Sequence, residues 1–212
     1  MMPPYILLSP VGDHRSKQLK EFIEAAKNFT PPPDKIVLCL DLDTKIDIKT
    51  IPDDVIIKYS PEISSHPSTL ERICSAREIL RNHFIYGKYD LALWIDSDII
   101  SPPELPSVLY DAMEKEQTLI VVNKYQGRGA VGEMWCGSGV MLTSKSACTA
   151  SKFWVGNIYT PEGVEKHLSE DFVFFAIFDQ GKHPLKIWTG RTGRSCEEYV
   201  KVKHCIEVRE HC

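Results

Sequence analysis

Two aspartates one residue apart, Asp96 and Asp98, close a run of five apolar residues, Leu91-Ala92-Leu93-Trp94-Ile95, and are followed by Ile99-Ile100-Ser101-Pro102-Pro103. A short apolar run that stops at turn residues reads as a buried strand. Carboxylates at its carboxyl end would project into the crevice where open α/β sheets take their ligands. Their oxygens suit hard or borderline cations such as Mg²⁺ and Mn²⁺, and a cation held there would neutralise a diphosphate. The plain alternative is that both aspartates cap a turn, since a three-residue Asp-x-Asp match arises easily by chance. The pattern gains meaning only in company.

Four segments supply that company. Arg77 falls in register with Leu70, Ile73 and Leu80 on the preceding helical pattern, and a charge on an inward face needs a partner. A diphosphate or Asp96 would serve. Arg72 and Arg81 fall nearer the polar side. Glu170-Asp171 open the last long helical pattern. Acidic residues there favour the helix dipole, and a carboxylate at a helix start is also well placed to point into a crevice. His204, in Val202-Lys203-His204-Cys205, is a third candidate metal ligand and equally an ordinary surface histidine. Gly190-Arg191-Thr192-Gly193-Arg194-Ser195 is a short basic loop that either closes over phosphates or is a solvated turn; it lacks the spacing of a P-loop.

Two other patterns compete. Asp41-Leu42-Asp43-Thr44 ends an early strand and resembles the nucleophile motif of haloacid-dehalogenase-type phosphohydrolases. It follows the second strand rather than the first, and a later Gly-Asp-x-x-x-Asp motif is missing. Asx turns at a strand end, or contacts to a base or ribose, are the other readings of these carboxylates. Gly127-Arg128-Gly129-Ala130-Val131-Gly132 fits G-x-G-x-x-G, but Glu133-Met134-Trp135-Cys136-Gly137-Ser138-Gly139 is too glycine-rich for the helix a dinucleotide site requires, so a loop is expected.

The elements that must position these residues alternate. Strands are expected at Tyr5–Ser9, Lys35–Leu40, Val55–Ile57, Leu91–Ile95, Leu119–Val122, Val140–Leu142 and Leu185–Trp188. Helices are expected over Ser16–Asn28, from Ser68 with Glu71 completing a capping box, from Ser101 with Pro102 at its first position, and over Ser169–Phe178. The second carries an apolar stripe of Leu70, Ile73, Leu80 and Phe84. This alternation predicts a single α/β domain over residues 1–212 with a central, mostly parallel sheet flanked by helices. No internal repeat or low-complexity linker interrupts it. Ending at Cys212 without a tail suits either a whole chain or the N-terminal part of a longer polypeptide.

Bulk properties narrow the partners. The chain has 212 residues, 43% hydrophobic and 25% charged, enough for one domain with a core. A net charge of -4 argues against a nucleic-acid partner, which wants a basic face. No apolar run approaches a membrane span, and the start, Met1-Met2-Pro3-Pro4, lacks signal-peptide character, so a cytoplasmic protein is expected. The seven cysteines are odd in number and contain no Cys-x-x-Cys pair; reduced structural thiols are expected.

Taken in order, these residues resemble the GT-A fold glycosyltransferases over most of the chain. Ser9-Pro10-Val11-Gly12-Asp13 is similar to the family's nucleotide-binding start. Arg77, Asp96-Ser97-Asp98, the Gly137-Ser138-Gly139 segment, Glu170-Asp171 and His204 follow in the family's order. More closely, the chain looks like the small glycosyltransferase domains encoded by chlorella viruses, which act in capsid glycan synthesis; that would place it in the host cytoplasm. Sugar nucleotidyltransferases share the architecture, but their G-x-G-x-R start is not matched at residues 9–17.

The resemblance implies a uridine diphosphate (UDP) sugar as donor, Mn²⁺ or Mg²⁺ as cofactor and a glycan hydroxyl as acceptor. Asp96, Asp98 and His204 would hold the metal, and Pro10, Val11, Gly12, Asp41 and Asp43 would border the uridine. Ser97, Arg77 and Lys203, with Arg191, would face the donor. Asp171 would be the base of an inverting transfer. Trp135, Trp154, Tyr159 and Trp188 are candidates to stack on acceptor sugars, although buried aromatics are the commoner case. Two other classes stand beside this one: a haloacid-dehalogenase-like phosphohydrolase built on Asp41 and Asp43, and a non-catalytic nucleotide-sugar-binding module.

Overall fold

The computed structural model describes residues 1–12, 16–42, 45–61, 68–122, 125–126, 134–135, 139–154, 156–159, 165–168, 174, 187–188 and 203–204. Strand β1 (Tyr5–Val11) leads to helix α1 (Ser16–Lys27), β2 (Lys35–Asp41), a 3-10 turn at Ile48–Thr50 and β3 (Val55–Ser60). Helix α2 (Thr69–Ile85), β4 (Leu91–Ile95), the short β5 (Ile99–Ile100), α3 (Leu105–Glu116) and β6 (Ile120–Val122) follow. Then come β7 (Tyr125–Gln126), β8 (Met134–Trp135), β9 (Val140–Ser144) and α4 (Lys145–Ala150). The last pieces are β10 (Gly156–Tyr159), β11 (Glu165–Leu168), β12 (Ile187–Trp188) and β13 (Lys203–His204).

Seven strands form the main sheet in the order β12-β6-β9-β4-β1-β2-β3. β3, β2, β1 and β4 run parallel, and β9 lies antiparallel between β4 and β6. The expected α/β class with a mostly parallel sheet is therefore what forms. The chain winds outward from β1 through β2 to β3 and then returns to the other side of β1 as β4. The carboxyl ends of β1 and β4 thus flank the point where the winding reverses, which is where open α/β sheets open a crevice.

Period-two side-chain alternation divides the central strands between two cores. Tyr5, Leu7, Leu38, Leu40, Leu91, Leu93 and Ile95 pack with Leu19, Phe22 and Ile23 of α1 and Leu105 and Leu109 of α3. Ile6, Leu8, Val37, Cys39, Ala92 and Trp94 pack with Leu80 and Phe84 of α2 and Ala147 and Cys148 of α4. Burying both faces explains why these strands read as unbroken apolar runs. Each fully buried Leu or Phe contributes about 1.5–3 kcal/mol. Burial also pushes the thiols of Cys39 and Cys148 up to about 12, and for Cys39 the nearby Asp41 adds to the effect. Cys39, Cys74 and Cys148 are free, as expected of structural thiols.

Two local expectations need correction. The capping box of α2 forms, with Ser68 Oγ accepting from the Glu71 amide and Glu71 accepting from the Ser68 amide. The helix, however, buries Cys74, Ala76, Arg77, Leu80, Arg81 and Phe84, while Leu70 and Ile73 are half-buried. The inward face is rotated from the expected stripe, and Arg81 is on it. Second, Ser101 does not cap α3. That helix starts at Leu105, Glu104 is its N-cap and Pro106 lies in its first turn, while Ser101 Oγ is buried without a partner. Pro102 and Pro103 restrict the residue before each of them to extended backbone, which delays the helix. β9 runs against its neighbours within the otherwise mostly parallel sheet, a direction the sequence left open. The helix expected over Ser169–Phe178 lies outside the described residues except for Phe174.

Candidate functional site

The site begins at the end of β4. The Asp96 amide donates to the Gly139 carbonyl over 2.9 Å, and the Ile99 amide donates back to the Asp96 carbonyl over 2.9 Å. Asp96, Ser97 and Asp98 therefore occupy a tight turn tied to the chain entering β9. Ser97 and Asp98 are buried, at 3% and 6% exposure, while the Asp96 side chain keeps 31%. Both expected aspartates are thus in the turn at the carboxyl end of β4, and Asp96 reaches water.

Asp96 is the partner that the inward charge of Arg77 on α2 required. The arginine Nη2 donates to Asp96 Oδ1 over 2.7 Å, while the guanidinium carbon lies 5.8 Å from the centre of the Phe153 ring. An ionised pair at this distance is a charge-assisted bond of the stronger kind. A guanidinium over a ring face adds electrostatic attraction. The arginine is thus fixed at the crevice edge by one carboxylate and one aromatic side chain.

Behind the motif, Trp94 Nε1 donates to Thr143 Oγ1 over 2.9 Å, and Thr143 Oγ1 lies 3.3 Å from Cys148 Sγ. This ties β4, β9 and α4 together two residues before Asp96. Pro10, Val11 and Gly12 end β1 beside this turn, with Val11 buried and the other two half-buried. Asp41 ends β2, where Arg72 Nη1 approaches its carboxylate at 3.7 Å. That pair is partly exposed and contributes little to stability. Residues 10–12, Asp41 and Asp96–Asp98 therefore lie along one edge of the sheet, at the carboxyl ends of parallel strands.

The C-terminal expectations are placed only in part. β13 pairs antiparallel with β5, setting Lys203 opposite Ile100 and His204 opposite Ile99. The backbone of His204 is thereby in register with the residue that follows Asp98. Among the described residues no three His, Cys, Asp or Glu side chains converge on one point. Asp96 and Asp98 offer carboxylate oxygens, and with an imidazole they would make a donor set that fits Mn²⁺ or Mg²⁺. Asp43, Glu170, Asp171, Gly137, Ser138, the glycine pattern at 127–132 and the basic loop at 190–195 with Arg191 lie outside the described residues.

Two contributors make contacts here that the sequence did not signal. Gly139 enters through its carbonyl, which any residue could supply. Phe153 follows a short helix that sits far from α2 in the chain, so no periodicity points from it to Arg77. Trp154, next to it, is 67% exposed.

No family model matches the chain, and none of the curated proteins does. Solved structures do. S. aureus TarS, residues 1–349 in complex with UDP-GlcNAc, superposes with a TM-score of 0.57 at 13% identity over 92% of this chain and 61% of its own. Another structure of S. aureus TarS gives 0.55 at 11% over 73% of this chain and 30% of its own. Glucosyl-3-phosphoglycerate synthase from Mycobacterium tuberculosis, in complex with Mn²⁺, UDP and phosphoglyceric acid, gives 0.53 at 16% over 84% of this chain and 64% of its own. The chain spans less than two thirds of the length of each. At these identities the likeness is one of fold, and the fold is that of the GT-A glycosyltransferases.

Proposed function

We propose that the chain is a metal-dependent glycosyltransferase of hexosyltransferase type, moving a sugar from a UDP-sugar to a hydroxyl of a glycan acceptor with inversion. The observation that carries this reading is the Asp96-Ser97-Asp98 turn at the reversal point of the sheet, with Arg77 bonded to Asp96 at its edge. The fold likeness supports it, since TarS was solved with UDP-GlcNAc and the mycobacterial synthase with Mn²⁺ and UDP. Work in virus-encoded glycan synthesis in a host cytoplasm belongs to the same reading and is supported by the sequence resemblance alone.

The residues divide the task. Pro10, Val11, Gly12, Asp41 and Asp43 border the uridine. Arg77, with Ser97, Arg191 and Lys203, faces the diphosphate and supplies positive charge where negative charge develops on the leaving group. Asp98 provides the principal carboxylate for Mn²⁺ or Mg²⁺, with Asp96 and His204 beside it. When bound, such an ion supplies Lewis-acid stabilisation of the departing nucleoside diphosphate. Asp171 takes the proton of the acceptor hydroxyl as that oxygen attacks the anomeric carbon from the face opposite the diphosphate.

Melting temperature with UDP, with and without Mn²⁺, tests the site, because a ligand bound only by the native state raises it by mass action. We expect a rise that needs Mn²⁺ and is lost in Asp98→Ala. Asp171→Asn should keep that rise yet lower turnover by about 10²–10⁴-fold, the span of general-base catalysis. Phosphate release from a simple phosphoester without an acceptor, abolished by Asp41→Asn, would replace this reading with a phosphohydrolase. UDP binding without turnover of any sugar nucleotide would leave a binding module.

A further inference from the structure

Helix α2 packs against β1, β2 and β3 and carries two arginines that each meet a carboxylate at the carboxyl end of a strand. Arg77 bonds to Asp96 after β4 at 2.7 Å, and Arg72 Nη1 lies 3.7 Å from Asp41 Oδ2 at the end of β2. Asp41 follows Cys39 by two residues and Asp96 follows Trp94 by two, and Cys39 and Trp94 both pack on the α2 side of the sheet. β1 runs between β2 and β4. Its register sets Val11 beside Leu40 and Leu8 beside Trp94, so Gly12 continues toward Asp41 and Pro10 toward Asp96. Two Arg–Asp pairs therefore bracket the carboxyl end of β1, two strand spacings or about 10 Å apart. The helix has its own tie here, because the Ser60 and Ser75 hydroxyls are bonded at 2.8 Å and Ser60 is the register partner of Asp41.

We propose that Arg72 is a positioning residue for the nucleoside half of the donor, acting through the Asp41 carboxylate, an inference that rests on the transferase reading above. Stability does not account for this pair, because a partly exposed ion pair contributes little to it. In that reading Arg77 faces the diphosphate and Asp41 borders the uridine, so the two pairs divide one ligand between them. An ionised carboxylate only accepts hydrogen bonds. Asp41 can therefore engage the hydroxyls of a ribose or the N–H of a base, groups that inorganic diphosphate lacks. By holding Oδ2, the Arg72 guanidinium limits how that carboxylate turns, and an oriented acceptor costs the ligand less to engage. Its influence on the diphosphate is small, since about 10 Å exceeds the screening length of roughly 8 Å at physiological salt. Loss of Arg72 should therefore weaken a nucleotide and spare a bare diphosphate.

The test measures, by calorimetry in Mn²⁺, the affinity of UDP and of inorganic diphosphate for the unaltered protein, Arg72→Gln, Arg72→Lys, Asp41→Asn and the Arg72→Gln, Asp41→Asn double variant. We expect UDP affinity in Arg72→Gln to fall about two- to tenfold, the span of one ordinary hydrogen bond, with diphosphate affinity changed by less than about twofold. Arg72→Lys, which still places a cation at Asp41, should recover most of the loss. Asp41→Asn should lose UDP affinity at least as far, and adding Arg72→Gln to it should cost less than about twofold more, as expected of two residues that act as one unit. Unchanged UDP affinity in Arg72→Gln, diphosphate affinity that falls in step with it, or a double variant that loses the product of the two single losses overturns the proposal. The melting temperature of the Arg72 variants should stay within a few degrees of the unaltered protein's, because the pair adds little to stability. An unaltered protein that binds no UDP in Mn²⁺ overturns the transferase reading and this inference with it. UDP bound equally well by the unaltered protein and by every variant overturns the inference only.

Discussion

Arg77 and Arg81 lie one turn apart on α2, both buried, at 3% and 5% exposure, yet their surroundings differ in kind. Arg81 is enclosed by structure. Its Nε and Nη2 donate to the two oxygens of Glu78 at 2.9 and 2.7 Å, and its Nη1 donates to the Cys148 carbonyl at 2.7 Å. The bond to Glu78 holds it charged more firmly than an ordinary arginine. This fork pins α4 to α2 and is satisfied from within the helix pair. Arg77 instead gives Nη2 to Asp96, a carboxylate that is 31% exposed at the crevice. The same residue type on the same helix face joins two helices at one turn and reaches the carboxyl end of a strand at the next. What separates the two is where the partners sit: Glu78 is on the same helix and the Cys148 carbonyl on α4, whereas Asp96 is in the turn at the end of β4.

Substitution at each position tests that contrast. The largest effect on stability is expected from Arg81→Ala. Removing the guanidinium leaves the buried Cys148 carbonyl without its donor and the partly exposed Glu78 without its fork, at a cost of about 1–3 kcal/mol. Chemical denaturation should report this loss, and the fraction that remains folded should bind UDP as tightly as before. Arg77→Ala should do the reverse. Stability should fall less, because the fork joining α2 to α4 stays intact, while Mn²⁺-dependent UDP affinity should drop by about 1.5–3 kcal/mol, the worth of a hydrogen bond to a charged group. Equal effects of the two substitutions on UDP affinity would erase the distinction between them.

The smallest effect concerns His83, on the same helix, where burial first and Lys58 second lower the imidazole pKa. The unfolded chain then binds more protons than the native state as pH falls below the ordinary histidine value of about 6.5. Stability is therefore full above that value and declines as pH drops through it toward the lower native pKa. The slope should be shallow, since the ring is only half-buried, and His83→Gln should remove it. A pH dependence of UDP affinity that disappears with His83→Gln would instead tie this residue to the site.

The contrast between the two arginines also shows where sequence reading stops. Arg77 was legible, because it falls on an apolar stripe and an inward charge demands a partner. Arg81 looked polar-facing, because the surfaces that bury it come from α4, 67 residues away for the Cys148 carbonyl. Local periodicity carries no record of such a contact. The strands β1, β2 and β4 were legible for the opposite reason: burial on both faces writes itself as consecutive apolar residues. The capping box of α2 was equally plain, because a cap is made by residues three apart. The late start of α3 was missed because Ser101-Pro102 imitates a cap and first helical residue, whereas Pro102 and Pro103 disfavour helical backbone at the residue before each of them. The direction of β9 was unreadable, since an apolar run looks the same from either end.

β4 sends Leu91, Leu93 and Ile95 into one core and Ala92 and Trp94 into the other. Adding or deleting one residue in that strand would exchange the two sets and turn the aspartates that follow toward the opposite face. A lineage exploring new donors from this scaffold can therefore change letters around the crevice but not the spelling length of the strand behind it. Libraries that vary residues 96–98 by substitution should yield folded proteins, while single-residue insertions within 91–95 should yield almost none.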